Sequence, residues 1–239
     1  MALALANKAY RLALVTRQPE ELDAWARAQG LTANSYEIYA ADLRDPSSIV
    51  EAGLLCLTSQ GVPDLVIASA GISIGMDSSQ RADLEVMAET FAINNTGMAA
   101  TFHPFIQAMK ERGSGKLVGV ASVAGIRGLP GHGAYCASKA GVIQYCESLR
   151  CELVGSGIRV VTLLPGYIDT PLTRKNKYKM PFLMAADDFV AEALRVIEKG
   201  EKRKVIPWQM AWVARVMYCM PDSLYDRLVQ GRPRKQRRE

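Results

Sequence analysis

The chain has 239 residues, of which 49% are hydrophobic and 22% are charged, a composition typical of a single globular α/β domain. Most of its net charge of +5 lies in the last eight residues, RPRKQRRE, where five basic groups and one acid leave +4. The body is therefore close to neutral, which excludes nucleic-acid binding by its overall charge. The basic tail is predicted to be a solvated end, with an anionic membrane surface or a nucleic acid as the alternative partner.

Cysteine and histidine usage argues against a metal site. The five cysteines show no CxxC spacing and the chain has only two histidines, so no metal ligand set is predicted, and the odd thiol count suits a reducing compartment. No apolar run reaches the ~18 residues that a membrane span needs. At the N-terminus the basic residues follow the apolar part, the reverse of a signal peptide. A cytoplasmic location is the resulting expectation.

Short β-branched runs alternate with stretches of helical period along the chain. In chain order, the predicted elements are strand RLALVT, helix PEELDAWARAQG, strand SYEIYA, helix PSSIVEAGLLCLTSQG, strand DLVIAS, helix 83–112, strand KLVGVAS, helix 134–154, strand IRVVTLLP, helix 187–199 and strand KVIP. This alternation predicts an α/β fold with a single Rossmann-like, doubly wound parallel sheet. Residues 1–206 form the predicted domain, and residues 207–239 add C-terminal amphipathic helices and the basic tail.

The first C-terminal helix carries an apolar stripe. Trp208, Trp212, Val216 and either Cys219 or Met220 fall on one face at helical spacing. Such a face is predicted to pack on the domain or on a second subunit. A substrate lid or a membrane-interface helix is the alternative interpretation, because the stripe is aromatic and the following tail is basic.

Tyr135 and Lys139 lie four residues apart at the start of a predicted helix, so their side chains share a face. A free phenol has a pKa near ~10, and using it as a base at neutral pH means stabilising the phenolate by roughly 4 kcal/mol. A neighbouring ammonium is the simplest source of that stabilisation. Taken alone, Tyr-x-x-x-Lys indicates a surface pair more often than a catalytic one.

Other polar residues fall where a ligand is expected. Ser122 closes the strand KLVGVAS, and ligand-contacting groups gather at the carboxyl ends of parallel strands. Asn94 lies beside a second asparagine in the helix FAINNTG, where a buried amide is costly without a partner. A solvent-facing residue or a kink in the helix is the alternative. Pro165, Gly166 and Thr170 follow another strand in LLPGYIDTPL, by itself an ordinary turn.

Together these positions form an ordered set of motifs. The set is Asp42-Leu43, Ala70-Gly71, Asn94 with Gly97, Ser122 with Ala124-Gly125, Tyr135 with Lys139, and Pro165-Gly166 with Thr170. In order and spacing it resembles the classical short-chain dehydrogenase/reductase (SDR) family, from about residue 2 to residue 206. One position departs from the pattern, since Ser69 stands where the family usually has asparagine.

The resemblance implies hydride transfer between a nicotinamide cofactor and a carbonyl or alcohol. Tyr135 would be the general acid in reduction and the base in oxidation, and Ser122 would orient the reacting carbonyl. Lys139 would lower the tyrosine pKa, together with the positive nicotinamide ring, and hold the nicotinamide ribose. Asn94 would fix a water that links Lys139 to solvent.

The resemblance also assigns cofactor contacts. They are Asp42 and Leu43 at the adenine, the turn of Ala70 and Gly71 against the cofactor, and Pro165, Gly166 and Thr170 around the nicotinamide. The strand RLALVT ends at Arg17, where dinucleotide-binding folds discriminate the adenosine ribose. Since this chain offers a guanidinium there and no acid, NADP is implied over NAD. The alternative is that Arg17 merely ends a strand and faces solvent.

One part of the family pattern has no counterpart here. The family begins with a strand and a glycine-rich turn that binds the pyrophosphate at a helix N-terminus, whereas this sequence opens on MALALANKAY and has no glycine before Gly30. We therefore expect the first strand and the turn to be missing. Either the recorded start is wrong or the chain is a true truncated relative, and the first explanation is favoured. As printed, the chain is expected to bind NADP poorly and to fold with difficulty.

The function predicted from the resemblance is NADP-dependent interconversion of a ketone or aldehyde and an alcohol. The alternative is a truncated, non-catalytic SDR remnant that binds a partner or a membrane through its C-terminus. The variable loop after Thr170 holds Met180, Phe182, Leu183 and Met184, which favour a hydrophobic substrate, although plain packing is equally compatible. By resemblance, the subunits pair as homodimers or homotetramers through the helices that carry Asn94 and Tyr135.

Overall fold

A computed structural model describes residues 1–174, 176 and 179–238 of the chain. Six strands lie in it, each at a position that the hydrophobic pattern predicts: β1 (Leu12–Thr16), β2 (Tyr36–Ala40), β3 (Leu65–Ala68), β4 (Gly115–Val120), β5 (Ile158–Pro165) and β6 (Arg203–Ile206). All of their pairings are parallel. Because parallel strands need crossover connections, helices occupy the intervals between them.

Ten α-helices complete the described part of the chain. They are α1 (Ala2–Ala6), α2 (Pro19–Ala28), α3 (Pro46–Gln60), α4 (Asp83–Phe91), α5 (Met98–Arg112), α6 (Gly133–Glu152), α7 (Pro171–Arg174), α8 (Ala186–Lys199), α9 (Trp208–Cys219) and α10 (Asp222–Val229). The predicted α/β Rossmann-like fold with a parallel sheet is confirmed.

The strands form two hydrogen-bonded sheets. β1 pairs with β2, and the remaining four strands follow the order β3-β4-β5-β6. One core nevertheless joins the two sheets, since Tyr39 and Ala41 at the end of β2 belong to the same buried cluster as Val66 and Ala68 of β3. In the described residues, no strand bridges β1 and β3. The expectation that a further strand belongs between them stays a prediction.

The long helix predicted over residues 83–112 is interrupted. A π-helical turn, Ala92–Gly97, separates α4 from α5 and contains Asn94. π-turns insert an extra residue into a helix and are frequent at functional sites. At its end the backbone passes very close to Leu43, since a Cβ on Gly97 would lie 2.6 Å from the Leu43 carbonyl oxygen. Hydrophobic periodicity carries no signal for one added residue, so the interruption is not predictable from the pattern.

The apolar stripe of α9 faces outward. Trp208, Trp212 and Val216 keep 62%, 64% and 58% of their surface exposed, while Met210 and Ala214 on the opposite face are buried. The prediction that the stripe packs on its own domain is therefore wrong. Met210 packs against Gly166, so α9 is anchored by small and flexible side chains instead of by its tryptophans. Within the described ranges, no helix is both long and apolar enough to cross a bilayer.

The basic tail is not a solvated end, contrary to the prediction. Arg237 donates two hydrogen bonds, of 2.7 and 2.8 Å, to the carboxylate of Asp83, and Asp83 is only 4% exposed. The charge pattern of the tail predicts repulsion and solvation, but it does not reveal that acids distant in sequence surround its docked position.

Candidate active site

The carboxyl ends of β3, β4 and β5 lie side by side and face the start of α6. Ser122 follows β4 by two residues, and Tyr135 and Lys139 occupy the first two turns of α6. The approach is close because Gly125 has no side chain: a Cβ there would lie 2.6 Å from the carbonyl carbon of Lys139. The fold thus brings three of the four predicted catalytic residues to one sheet edge, as expected from the strand ends.

Tyr135 lies beside Ser122 and is partly buried. Burial raises the pKa of the phenol, and the hydrogen bond with the Ser122 side chain acts in the lowering direction. The predicted lowering of this pKa by Lys139 is not seen. The Lys139 nitrogen lies 5.9 Å from the centre of the Tyr135 ring, and desolvation of the phenolate is the larger influence. In this structure the tyrosine is therefore a neutral acid.

Lys139 is a buried cation, only 5% exposed. Its ammonium donates a 2.8 Å hydrogen bond to the carbonyl oxygen of Val120, and burial lowers its pKa to about 8. An ammonium has three donors, so two have no recorded acceptor among the described residues. This spare capacity fits the two hydroxyls of a nicotinamide ribose, which are acceptors as well as donors.

Asn94 is 1% exposed, and its side-chain amide forms hydrogen bonds with the loop after β3. Its Oδ1 accepts from the Ile72 N–H at 2.8 Å, and its Nδ2 donates to the Ile72 carbonyl at 3.0 Å and to the Ser138 hydroxyl at 2.9 Å. The solvent-facing alternative is thereby excluded. The side chain fixes the loop against α6, and the predicted water relay is not tested by these contacts.

Ser138 is a site residue that the sequence reasoning missed. It is fully buried, and its hydroxyl donates to the carbonyl oxygen of Tyr135 at 2.8 Å while accepting from Asn94. It therefore links the π-turn to the first turn of α6. A serine inside a helix carries no distinctive pattern, so only its position directly before Lys139 could have indicated it.

Gly71 shows how tightly the loop after β3 approaches the site. A Cβ at this position would lie 3.0 Å from Oδ1 of Asn94 and 3.3 Å from the nitrogen of Lys139. The neighbouring Ser69 and Ala70 are exposed, so this strand end is open to a ligand. The predicted Ala70-Gly71 turn thus passes close to Lys139, and a larger residue than glycine would crowd it.

The loop after β5 borders the same edge. Ser122 reaches the Pro165 carbonyl oxygen at a long 3.5 Å, and the Gly166 N–H donates to the Ile206 carbonyl at 2.8 Å. Thr170 precedes α7, and its hydroxyl lies 3.3 Å from that of Thr173. Of the predicted nicotinamide-pocket residues, Pro165 is thus next to Ser122, and Gly166 and Thr170 follow it in the same loop.

The prediction of an apolar substrate-binding surface in the loop after Thr170 is only partly supported. Met184 packs against the core cluster that surrounds α8, and its N–H donates to the Tyr167 carbonyl at 3.0 Å, which favours the packing alternative for this residue. Phe182 and Leu183 are 49% and 48% exposed. Residues 175, 177 and 178 of the same loop lie outside the described residues.

A second group of predicted residues lies at the carboxyl ends of β1 and β2. Arg17 is exposed there, and the carboxylate of Asp42 accepts hydrogen bonds from Arg44 at 2.9 and 2.5 Å. These bonds, with a smaller contribution from the charge of Arg17, lower the pKa of Asp42 to about 2. Arg44 is a further basic group that the sequence reasoning missed, and its neighbour Leu43 contacts Gly97.

Comparisons with known proteins agree with this arrangement. The family profile described as short chain dehydrogenase matches residues 1–181. An uncharacterized oxidoreductase of Myxococcus xanthus is 37% identical over 229 residues, which cover 95% of this chain and 89% of that protein. A D-threitol dehydrogenase of Mycolicibacterium smegmatis is 32% identical over 73% of this chain and 67% of its own length.

A solved structure is also similar. A short-chain dehydrogenase from Sphingobium yanoikuyae, in complex with NADPH, is 25% identical and superposes with a TM-score of 0.75 over 93% of this chain and 91% of that one. The fold, the site and these likenesses define the class: the chain belongs to the short-chain dehydrogenase family. It is an oxidoreductase of the kind that acts on a CH–OH group with a nicotinamide cofactor.

The buried ammonium predicts a pH-dependent stability. Because the pKa of Lys139 is about 8 when folded and near ~10.4 in an unfolded chain, the unfolded state binds more protons between these values, and stability rises with pH through that window. Relative to Lys139→Met, the free energy of unfolding of the wild type should gain about 3 kcal/mol from pH 7 to pH 10.5. Urea unfolding at both values measures the difference.

The exposed Lys110 on α5 provides the control, since Lys110→Met should follow the wild type at both pH values. A parallel pH dependence of the wild type and Lys139→Met would show that the ammonium is not desolvated.

Proposed function

We propose that the chain interconverts a ketone or aldehyde and an alcohol, with Ser122, Tyr135, Lys139 and Asn94 as its site and NADP as its cofactor. The observation that carries the proposal is the grouping of a phenol, a hydroxyl bonded to it and a buried ammonium with two spare donors at one open sheet edge. This grouping is costly to maintain without a ligand, because an unpaired buried cation is penalised.

In the direction of reduction, Tyr135 delivers its phenolic proton to the carbonyl oxygen as negative charge develops there. The Ser122 hydroxyl, fixed by the Ala124 N–H at 3.1 Å, orients and stabilises that oxygen. The cofactor supplies or accepts the hydride when bound. Lys139 stabilises the resulting phenolate and holds the ribose, and Asn94 keeps the loop at Ile72 in place. A buried neutral phenol suits the role of acid, since it retains its proton until the oxygen needs it.

The preference for NADP is supported by charge at the β1–β2 edge. Arg17 follows β1 directly and is exposed, and Arg44 lies nearby with its guanidinium on Asp42. A 2′-phosphate would meet two cations there, and the carboxylate that could repel it is already neutralised. The NADPH complex of the similar Sphingobium protein agrees with this choice.

The substrate is proposed to be a small carbonyl or alcohol compound, with a hydrophobic part facing Phe182 and Leu183, which are half exposed in the loop before α8. Assembly into a homodimer or homotetramer through the interrupted helix α4–α5, which carries Asn94, and through α6, which carries Tyr135, is proposed by analogy with the family. A cytoplasmic location stays a prediction, and no contact described above favours a membrane-bound or non-catalytic remnant over an enzyme.

Removal of the phenolic hydroxyl tests the proton transfer. Tyr135→Phe should lower kcat for ketone reduction with NADPH by at least about 100-fold, the usual contribution of a positioned general acid. KM should change little, because the ring still packs. Steady-state kinetics on a ketone and aldehyde panel, with the longest form of the protein that its gene encodes, gives the measurement.

The matched control is Tyr145→Phe on the same helix, where the phenol is partly exposed and ten residues from the site. It should keep wild-type rates. Retained turnover in Tyr135→Phe would remove the proposed acid.

Arg17→Ala tests cofactor choice. Loss of a charge-assisted contact to the 2′-phosphate should raise KM for NADPH about 10-fold or more and leave KM for NADH nearly unchanged. Arg11→Ala is the control, because Arg11 precedes β1 at its opposite end and pairs with Glu37. Equal effects of Arg17→Ala on both cofactors would contradict the assignment.

A further inference from the structure

The C-terminal segment 232–238 crosses the loop that leads out of the active site. The Gly75 N–H donates to the Gln236 carbonyl at 3.1 Å, and a parallel bridge joins Gly75 to Arg237. A Cβ on Gly75 would lie 2.2 Å from the Lys235 carbonyl oxygen. The tail backbone therefore lies directly on the loop, at a point where only glycine leaves room for it.

Three arginines of the tail fix it to the domain by forming ion pairs with acidic side chains. Their ion pairs are Arg234 with Asp77 at 3.4 Å, Arg237 with Asp83 at 2.7 Å and Arg238 with Glu89 at 2.8 Å. The pair with Asp83 is the strongest anchor, because that carboxylate is buried and its pKa is lowered chiefly by the hydrogen bond from Arg237. These three residues account for the docking of the segment.

Lys235 differs from its neighbours. Its ammonium points inward and donates to the Ser73 hydroxyl at 2.8 Å, and Ser73 is 8% exposed. No carboxylate of the described residues lies within 4.0 Å of it, although three acids are available to the adjacent arginines. Burial lowers the pKa of the amine. Placing a cation beside a neutral hydroxyl is unfavourable unless an anion joins it.

The position of Lys235 is close to the reacting groups. Ser73 is two residues from Gly71, so their Cα atoms are at most about 7.6 Å apart, and a Cβ on Gly71 would lie 3.3 Å from the nitrogen of Lys139. The Lys235 ammonium is therefore bonded to the same loop that passes beside Lys139. Burial lowers the pKa of His132, which precedes Tyr135 by one helical turn, and the charge of Lys235 acts in the same direction.

We propose that Lys235 forms an anion subsite that selects carbonyl substrates bearing a carboxylate or phosphate group. The inference rests on the proposed function, since it places the anion on the substrate of the Ser122–Tyr135 site. The charged group of the substrate supplies the anionic partner that Lys235 does not have among the described residues, and the hydrogen bond to Ser73 orients the amine toward it. The tail is then a part of the substrate site held in place by Arg237.

The test uses three matched aryl ketones: 4-oxo-4-phenylbutanoate, its uncharged methyl ester and 3-oxo-3-phenylpropyl phosphate. Binding is measured by ligand-observed NMR, and turnover with NADPH by absorbance, for the full chain in the longest form that its gene encodes. The wild type should prefer one of the anions to the ester by about 10-fold or more, and the preferred anion distinguishes carboxylate from phosphate. Lys235→Met should remove the preference and leave the ester unchanged within about twofold.

Two further variants separate charge from structure. Lys235→Arg should retain most of the preference, and Lys110→Met, which removes an exposed cation on α5 outside the tail, should retain all of it. If Lys235→Met binds the anions as the wild type does, or if the wild type prefers the ester, the subsite is refuted. Anion binding that depends on Lys235 without any turnover would instead refute the proposed function and leave the subsite standing.

Discussion

The arrangement of the candidate active site depends on one buried ammonium group, that of Lys139. Lys139 is held inside the protein with a single recorded carbonyl partner, and its surroundings are shaped to allow this. Gly71 and Gly125 lack side chains where they pass the lysine, and Asn94 fastens the adjoining loop. Burial of a cation is unfavourable without polar partners, and two of its three donors have no acceptor among the described residues, which leaves them available to the hydroxyls of a ligand.

The same constraint explains the state of the tyrosine. Burial raises the pKa of Tyr135, and the lysine points toward Val120 instead of the phenol. The positive charge needed to stabilise a phenolate is therefore not delivered by the protein alone, and proton release is expected to be coupled to cofactor binding. This coupling protects the site, because a tyrosine that remains protonated until the cofactor is in place cannot act prematurely as a base.

Much of the fold was predictable because strands and helices of this class carry strong periodic patterns. β5 and the helix α6 that carries Tyr135 and Lys139 occur almost where the pattern predicts them, and the spacing of Ser122, Tyr135 and Lys139 correctly indicates one sheet edge. The failures involve interactions between distant residues. The docking of Arg237 on Asp83 and the outward stripe of Trp208 depend on which surfaces meet after folding, and no local pattern records that.

The most direct measurement is the ionisation of Tyr135 itself, followed by ¹³C NMR of ring-labelled tyrosine between pH 6 and 10.5 and assigned with a phenylalanine variant. Without ligand, the phenol should stay protonated up to about pH 10, the ordinary tyrosine value. Saturating NADP⁺ should lower the pKa of the phenol, because it places positive charge beside it, so that the phenol ionises within the measured pH range. Ionisation well below pH 10 in the free protein, or a titration indifferent to NADP⁺, would contradict the account.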